Sequence, residues 1–185
     1  MSPPTTAFWL ILAAIALQRV AEVFIASRHE RALRARGGRL VPGDRYPLIV
    51  ASHAAFLVLM LVEHVVAPWA GPHLLTLPLL LAFLVGEGLR FAAMHALGDR
   101  WTTRVWTVPG EKRIERGIYR RLRHPNYVGV ALGAVSLALA FGLPASALAM
   151  GAAQAWLLRG RIRLEESAFE ESAREPAPLA PEQPA

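Results

Sequence analysis

The chain has 185 residues, of which 54% are hydrophobic and only 18% charged, which is too apolar for an ordinary soluble domain. It contains no cysteine, so disulfides, thiolate metal sites and a cysteine nucleophile are excluded. The formal net charge of +6 comes almost entirely from arginines that lie between long apolar runs. This distribution is typical of the basic loops of a membrane protein, and it argues against a nucleic-acid-binding surface.

The first three apolar segments are each long enough to cross a membrane, which takes about 20 residues. Residues 8–27 lack the basic start of a signal peptide, and Arg19 and Glu22 interrupt their second half, so we expect a retained helix. Two further helices are predicted at 47–69 and 74–97. The turn between these two helices is short and uncharged, so they should be antiparallel neighbours.

The fourth apolar region divides at a Gly-Leu-Pro break, residues 142–144, into helices predicted at 126–141 and 145–158. Each half is short for a hydrocarbon core of about 30 Å, so the pattern fits either two short spans or a hairpin that does not cross fully. A polar helix is predicted at 159–173. The tail at 175–185 is rich in proline and alanine, and we predict that it is disordered.

Together these segments predict a single all-α integral membrane domain over residues 1–174, with about five transmembrane or hairpin helices. Residues 27–46 contain six arginines, and residues 98–126 contain eight basic residues against three acidic ones. By the positive-inside rule both regions belong on the cytoplasmic side of the membrane. The N-terminus is therefore predicted to lie outside, and the C-terminal helix is predicted to lie in the cytoplasm.

The start of the fourth apolar region is the most informative part of the sequence. Pro125 suits the first turn of a helix, which places His124 near the N-cap. The free N–H groups and positive dipole end of a helix N-terminus favour an anionic group. His124 and Tyr127 are three residues apart and can share one face of this helix, while Gly117 permits a tight turn in the preceding loop. Interface anchoring would also explain these residues.

A second candidate lies on the predicted polar helix. Arg161 and Glu165 are four residues apart, which permits an ion pair on one helix face. An amphipathic helix lying on the membrane surface would show the same spacing. The sequence contains no Gly-rich phosphate loop, no Ser–His–Asp order and no HExxH pattern, and no metal site is expected.

Several ionisable residues fall inside the predicted spans. Arg19 with Glu22, and Glu87 with Arg90, are each three residues apart, so each pair can neutralise itself locally. Such residues are costly in lipid and usually face the interior of a helix bundle or a cavity. Local pairing and a functional cavity therefore both fit this pattern.

The candidate residues form one pattern, Gly117-x-Tyr119-x-x-x-Arg123-His124-Pro125-x-Tyr127-x-Gly129, followed by Arg161-Ile162-x-x-Glu165-Glu166. This combination resembles the isoprenylcysteine carboxyl methyltransferase family over roughly residues 97–171. The resemblance implies a methyltransferase that uses S-adenosylmethionine, with the cytoplasmic loop and the C-terminal helix forming the cofactor pocket. The cofactor contacts that it implies are Ile114, Gly117, Tyr119, His124, Pro125, Tyr127 and Glu166. Arg161 is expected to hold the acceptor oxygen, and Glu165 to orient Arg161 or the amino group of the cofactor, a task that Glu166 could take instead.

The N-terminal half is similar to a bacterial branch of this family that acts beside type III polyketide synthases. The similarity lies in Leu17-Gln18-Arg19-x-x-Glu22, in Tyr46-Pro47-Leu48-Ile49-Val50-x-x-His53 and in Leu97-Gly98-x-Arg100-Trp101. It implies a bacterial inner-membrane O-methyltransferase whose lipophilic acceptor is an alkylpyrone, an alkylresorcinol or a prenylcysteine-like carboxylate. The implied substrate cavity is formed by Arg19, Glu22, His53, Arg90 and Trp101. Two alternatives are a phospholipid N-methyltransferase, which has a similar His-Pro-x-Tyr-x-Gly segment, and a non-catalytic membrane scaffold.

Overall fold

The computed structural model describes residues 3–67 and 72–175, with the side chains from residue 6 onward. Within these ranges the chain forms five α-helices, a two-stranded antiparallel sheet and two short 3-10 turns. The helices are α1 Pro3–Ala35, α2 Tyr46–Val66, α3 Thr76–Leu97, α4 Pro125–Ala140 and α5 Pro144–Ser172. The strands are β1 Arg39–Leu40 and β2 Trp106–Thr107, and the 3-10 turns are Gly98–Arg100 and Gly117–Arg120.

The architecture confirms the predicted all-α integral membrane protein. Three helical segments are long and apolar enough to cross a membrane, namely Thr6–Ala35, Tyr46–Val66 and Thr76–Arg100. Their outer faces carry large exposed apolar side chains, such as Leu17 and Leu81, which suit contact with lipid. Residues 68–71, which include the end of the predicted second helix and part of the predicted turn, lie outside the described residues.

Two predicted boundaries were wrong. The first helix does not end at residue 27 but continues to Ala35, since arginine and alanine favour helix and Leu33 is buried beside β2. The helices predicted at 145–158 and 159–173 are one helix, α5, because Gly160 alone does not interrupt a run of good helix formers. The predicted tail lies outside the described residues beyond Glu175, which itself pairs with Arg39 at 2.8 Å.

The break between α4 and α5 and the start of α4 follow the sequence prediction. Gly142 takes a positive φ of 66° between the two helices, and α5 begins at Pro144. At the other end of α4, His124 is the N-cap residue and Pro125 occupies the first turn. With 16 residues, α4 is about 24 Å long at 1.5 Å per residue, which is short for a full span.

Helices α3 and α4 approach each other closely along a seam of glycines. A Cβ atom added at Gly86 would lie 2.8 Å from both Gly129 O and Gly133 N, so only glycine fits at that position. A Cβ atom at Gly129 would lie 2.7 Å from Cγ of Arg90. The seam therefore seats the Arg90 side chain against α4.

The apolar core lies where α1 begins and α4 ends, at the opposite end of the bundle from the two basic loops. Phe8, Met60, Leu137 and Leu143 are almost fully buried there. Glu63 of α2 accepts hydrogen bonds from the backbone N–H groups of Ala145 at 2.9 Å and Ser146 at 2.7 Å, which caps α5. The end that carries residues 28–45 and 98–124 is called the loop end below.

Candidate active site

A cavity of about 470 Å³ runs from the loop end into the space between the helices. The helix part is mostly apolar, with Val20, Ile49 and Leu57 among its walls. The loop part is lined by polar and aromatic side chains, including Tyr119 and Tyr127. The volume lies within the usual range of small-molecule sites, which is about 300 to 1,000 Å³.

Most of the side chains singled out from the sequence meet in this one cavity. Those that line it are Arg19, Glu22, His53, Arg90, Trp101, Ile114, Tyr119, His124, Tyr127, Arg161 and Glu165. Three others stand outside its lining. Gly117 turns the chain with a φ of 58° and packs against Ala96, Pro125 is buried in the first turn of α4, and Glu166 faces away from the cavity.

Arg161 is held by three hydrogen bonds at the loop end of the cavity. Its Nε donates a hydrogen bond to the Tyr127 hydroxyl at 2.9 Å, and its Nη2 donates to the Thr103 carbonyl at 2.7 Å. Nη1 lies 3.2 Å from Oδ1 of Asp44. Burial alone would lower the pKa of Arg161, but Tyr127 and Asp44 outweigh burial and raise the pKa above its ordinary value. The guanidinium is therefore charged.

Arg161 and Glu165 do not form the direct ion pair that their spacing permits. Instead, the Tyr127 hydroxyl accepts from Arg161 and donates to the Glu165 carboxylate, so tyrosine lies between the two charges. The half-buried Tyr119 side chain also lies near Glu165. Burial, with the Glu165 charge as a smaller cause, raises the pKa of Tyr119 above its ordinary value, and its hydroxyl stays protonated.

His124 and Tyr127 share one face of α4, as their spacing predicts. The two rings are stacked, with centroids 5.5 Å apart and planes at 11°. On its other side His124 Nε2 lies 3.2 Å from Oε1 of Glu166, which also lies 3.7 Å from Arg123. The hydrogen bond from His124 is the main cause that lowers the pKa of Glu166. Glu166 therefore orients the histidine from outside the cavity.

A second cluster of charges closes the cavity between α1 and α3. The local pairs predicted from spacing are present, Arg19 with Glu22 at 2.9 Å and Arg90 with Glu87 at 3.0 Å. The structure adds contacts between the helices, Arg90 with Glu22 at 2.5 Å and Arg19 with Glu87 at 3.4 Å. Gln18 donates to both carboxylates. Arg19, Glu22, Glu87 and Arg90, the "charge quartet", neutralise one another.

The histidine in the helix part of the cavity has a fixed tautomer. His53 Nδ1 lies 2.8 Å from the Ile49 carbonyl, so this nitrogen carries the proton. The unprotonated Nε2 then faces Nε2 of Gln154 at 3.4 Å. Gln154 is only 1% exposed, which is unusual for an amide in an apolar helix segment.

Sequence reasoning missed four polar residues of this site. Asp44 and Thr103 bind Arg161, Gln154 faces His53, and Asn126 lines the cavity with a buried Oδ1 that has no hydrogen-bond partner among the described residues. Asn126 lies inside the recognised motif, so its position was a usable signal. Nothing in the spacing of Asp44 connects it with a helix more than a hundred residues away.

Comparison with known proteins decides the family. The model of the isoprenylcysteine carboxyl methyltransferase (ICMT) family matches residues 78–171, which is about half of the chain and includes most of α3, the following loop, α4 and most of α5. The chain belongs to the ICMT family. As a member of it, this protein is a membrane methyltransferase. The match contains Arg90, His124, Tyr127, Arg161 and Glu165 of the cavity.

Similarity to a curated relative extends over nearly the whole of this ICMT-family chain. The chain is 30% identical over 164 residues to the uncharacterized protein YpbQ of Bacillus subtilis (strain 168), a match that covers 89% of this chain and 97% of YpbQ. The match therefore extends well beyond the residues that the family model covers. No solved structure matches the chain.

Proposed function

We propose that this protein is a bacterial inner-membrane O-methyltransferase that transfers a methyl group from S-adenosylmethionine to a lipophilic acceptor. The observation that carries the proposal is the continuous cavity of about 470 Å³, which joins a polar loop end to an apolar space between helices. A water-soluble cofactor and a lipophilic acceptor can meet in such a cavity, each in surroundings that suit it. In this proposal the loop end and the C-terminus face the cytoplasm and the N-terminus lies outside, as the basic loops indicate.

The groups at the loop end fit S-adenosylmethionine. The unpartnered Asn126 Oδ1 and the Glu165 carboxylate are acceptors suited to its ammonium and hydroxyl groups. The N-terminus of α4 suits its carboxylate, and Ile114 with the stacked His124 and Tyr127 rings offers surface for its apolar and aromatic parts. When bound, the cofactor supplies an electrophilic methyl group carried on a sulfonium.

Arg161 is assigned to the acceptor oxygen. Methyl transfer is an in-line displacement, so the rate depends mainly on how the reacting atoms are oriented. Arg161 has five N–H groups, of which three bind Tyr127, Asp44 and Thr103, so two are left without a partner among the described residues of a cavity that Arg161 lines. A guanidinium stabilises an anionic oxygen and repels an ammonium, which favours O-methylation over the N-methylation of a phospholipid.

Glu165, and not Glu166, is assigned to the cavity in this proposal. Glu165 receives the hydrogen bond of Tyr127 and thereby holds that ring beside Arg161. Glu166 is assigned the orientation of His124. A carboxylate or an acidic enol acceptor is ionised at neutral pH and needs no general base, whereas a phenol, with a pKa near 10, would need one.

The apolar tail of the acceptor is placed between α1 and α2. Val20 and Val23 of α1 and Val50 of α2 line the cavity, yet they are 52%, 48% and 47% exposed. Side chains that are both cavity wall and outer surface mark an opening toward the bilayer. The resemblance of the N-terminal half supports an alkylpyrone, an alkylresorcinol or a prenylcysteine-like carboxylate as acceptor, with a type III polyketide synthase pathway as the source of the first two.

The first test is calorimetric titration of detergent-purified protein with S-adenosylhomocysteine. We expect saturable binding by the wild type and at least about tenfold weaker binding by His124→Ala, because the variant loses a stacked ring and a polar contact of the cavity. The matched control is His73→Ala, since His73 is an exposed histidine at the opposite end of the bundle. Absence of binding by folded wild type would overturn the proposed use of S-adenosylmethionine and favour a scaffold that keeps the family fold.

The second test offers S-adenosylmethionine with a labelled methyl group together with four acceptors. These are an alkylpyrone, an alkylresorcinol, a prenylcysteine and phosphatidylethanolamine. Label on an oxygen of any of the first three supports the proposal. Label on the amine of phosphatidylethanolamine alone, with activity that survives in Arg161→Lys, would establish the N-methyltransferase instead.

A further inference from the structure

Asp44 is a buried carboxylate in an exposed, arginine-rich loop. It follows the turn at Gly43, where φ is 83°, and lies just before α2. Its side chain is only 1% exposed. A buried charge is costly unless it is paired and hydrogen-bonded, so the partners of Asp44 indicate what its burial achieves.

The partners of Asp44 belong to two other segments of the chain. Oδ1 receives the Arg161 guanidinium of α5 at 3.2 Å. Oδ2 accepts a hydrogen bond from the Val105 backbone N–H at 3.0 Å and lies 3.9 Å from Nε of Arg104. One carboxylate therefore joins the loop before α2, the loop before β2 and the helix that carries Arg161.

The carboxylate is held in place without any help from Arg161. Val41 N donates to the Val105 carbonyl at 2.9 Å, next to the pairing of β1 with β2. The Val105 N–H donates to Asp44. Both backbone groups of Val105 are thus bound by residues 41–44, which fixes Asp44 relative to Thr103, the other acceptor for Arg161.

This arrangement determines the direction of the guanidinium. The Arg161 fork is planar and rigid, so contacts from Asp44, Thr103 and Tyr127 to its three nitrogens define its plane completely. The two N–H groups left over then have fixed positions. Without Asp44, the same plane would be held by one carbonyl and one phenol only.

We propose that Asp44 is the positioning residue that aims Arg161 at the acceptor oxygen, an inference that rests on the proposed methyl transfer. Asp44 itself touches neither reactant, because it lies behind Arg161 and outside the cavity lining. Its effect is expected in the turnover rate rather than in cofactor affinity.

The first experiment compares Asp44→Asn with Asp99→Asn. Asp99 forms an ion pair of 2.8 Å with Arg36 at the same end of the molecule, but its side chain is exposed and lies outside the cavity lining. We expect Asp44→Asn to lower kcat by on the order of 10²-fold, with KM and S-adenosylhomocysteine affinity changed by less than about threefold. Asp99→Asn should match the wild type. Wild-type kcat in Asp44→Asn would overturn the proposal.

A double-mutant cycle separates positioning from general loss of structure. In an Arg161→Lys background, Asp44→Asn should cost little further activity, because the fork that it aims is already gone. Equal losses in both backgrounds would show that Asp44 acts only through the fold and would overturn the proposal. If Asp44→Asn does not fold, Asp44→Glu serves in its place, since it keeps the charge and displaces the carboxylate by one methylene.

A third measurement does not depend on activity. Modification of Arg161 by phenylglyoxal, followed by peptide mass spectrometry, should be faster in Asp44→Asn than in the wild type and in Asp99→Asn. Unchanged modification would contradict the role of Asp44. A wild type that neither binds S-adenosylhomocysteine nor methylates any acceptor would instead remove the proposed function, and with it the acceptor that Arg161 is aimed at.

Discussion

The cavity is lined by two clusters of charge that are built in opposite ways. In the charge quartet every carboxylate is shared by two arginines from α1 and α3, and Gln18 donates a hydrogen bond to each carboxylate. Around Arg161, by contrast, the partners are a backbone carbonyl, a phenol and one carboxylate. The quartet balances its own charges and ties two helices together. Arg161 has only one carboxylate partner, and two of its N–H groups have no partner among the described residues. Such free donors are what a group that binds the acceptor requires.

Replacing Arg161 with lysine should give the largest effect, because it removes the N–H donors that are left for the acceptor. An ammonium cannot reproduce the planar fork, so kcat/KM should fall by about 10² to 10³. Affinity for S-adenosylhomocysteine should change by less than about threefold, because Arg161 is assigned to the acceptor. Labelled methyl transfer and calorimetry measure the two quantities. Equal losses in both would place Arg161 on the cofactor.

Removing one member of the quartet tests its structural role. In Arg90→Met the buried Glu22 loses its partner on α3, and loss of one member of a buried pair costs about 3 to 5 kcal/mol. The matched control is Arg36→Met, whose exposed ion pair with Asp99 should contribute at most about 1 kcal/mol. Unfolding by SDS in mixed micelles, followed by circular dichroism, compares them. Similar stability of Arg90→Met and Arg36→Met would contradict the structural role of the charge quartet.

A substitution in the glycine seam between α3 and α4, which seats Arg90, should lower the stability by a smaller amount. In Gly86→Ala the new methyl would lie 2.8 Å from Gly129 O, and such overpacking costs about 1 to 3 kcal/mol. Gly88→Ala is the control on the same helix, since nothing lies within 4 Å of a Cβ atom there. The control should be neutral or more stable by up to about 1 kcal/mol. The same micelle assay applies, and an unaffected Gly86→Ala would show that α3 and α4 can separate freely.

The smallest effect is expected at Glu166, outside the cavity. The hydrogen bond from His124 lowers the pKa of Glu166. The contribution of the Glu166 carboxylate to holding His124 is therefore present above the ordinary glutamate pKa, and it is lost as the pH falls through the lowered pKa. Glu166→Gln should therefore weaken S-adenosylhomocysteine binding slightly near neutral pH and make no difference in acid. Titrations of both proteins across this range measure the effect. A difference that grows in acid would have the wrong sign for this role.

Local features of the fold could be predicted from the sequence. The start of α4 at Pro125, the break at Gly142 and the pairs Arg19–Glu22 and Glu87–Arg90 depend on neighbours within a few residues. Such features are determined by backbone chemistry and by helical spacing. The family pattern then brought the loop residues and α5 into one site.

The remaining features depend on three-dimensional packing. Glu165 and Glu166 are adjacent on a helix and point about 100° apart, and only the position of α4 determines which of them faces the cavity. Arg161 and Glu165 have the spacing of an ion pair, but Tyr127 from another helix enters between them. Asp44 reaches Arg161 through the pairing of two short strands, which no local pattern indicates.

The unbroken α5 has a mechanical consequence. At one end Glu63 of α2 holds its first turn, and at the other Ser172 accepts from Gly110 N–H and donates to the Val108 carbonyl. Between these clamps, 29 residues form a rod about 43 Å long. Because α5 is one rigid helix that is bound to α2 at its start and to the loop between α3 and α4 at its end, a change in the tilt of α2 should move α5 along its axis. Such a movement would shift Arg161 relative to the loops that contact it. We therefore expect the geometry of the site to respond to membrane thickness through this one helix.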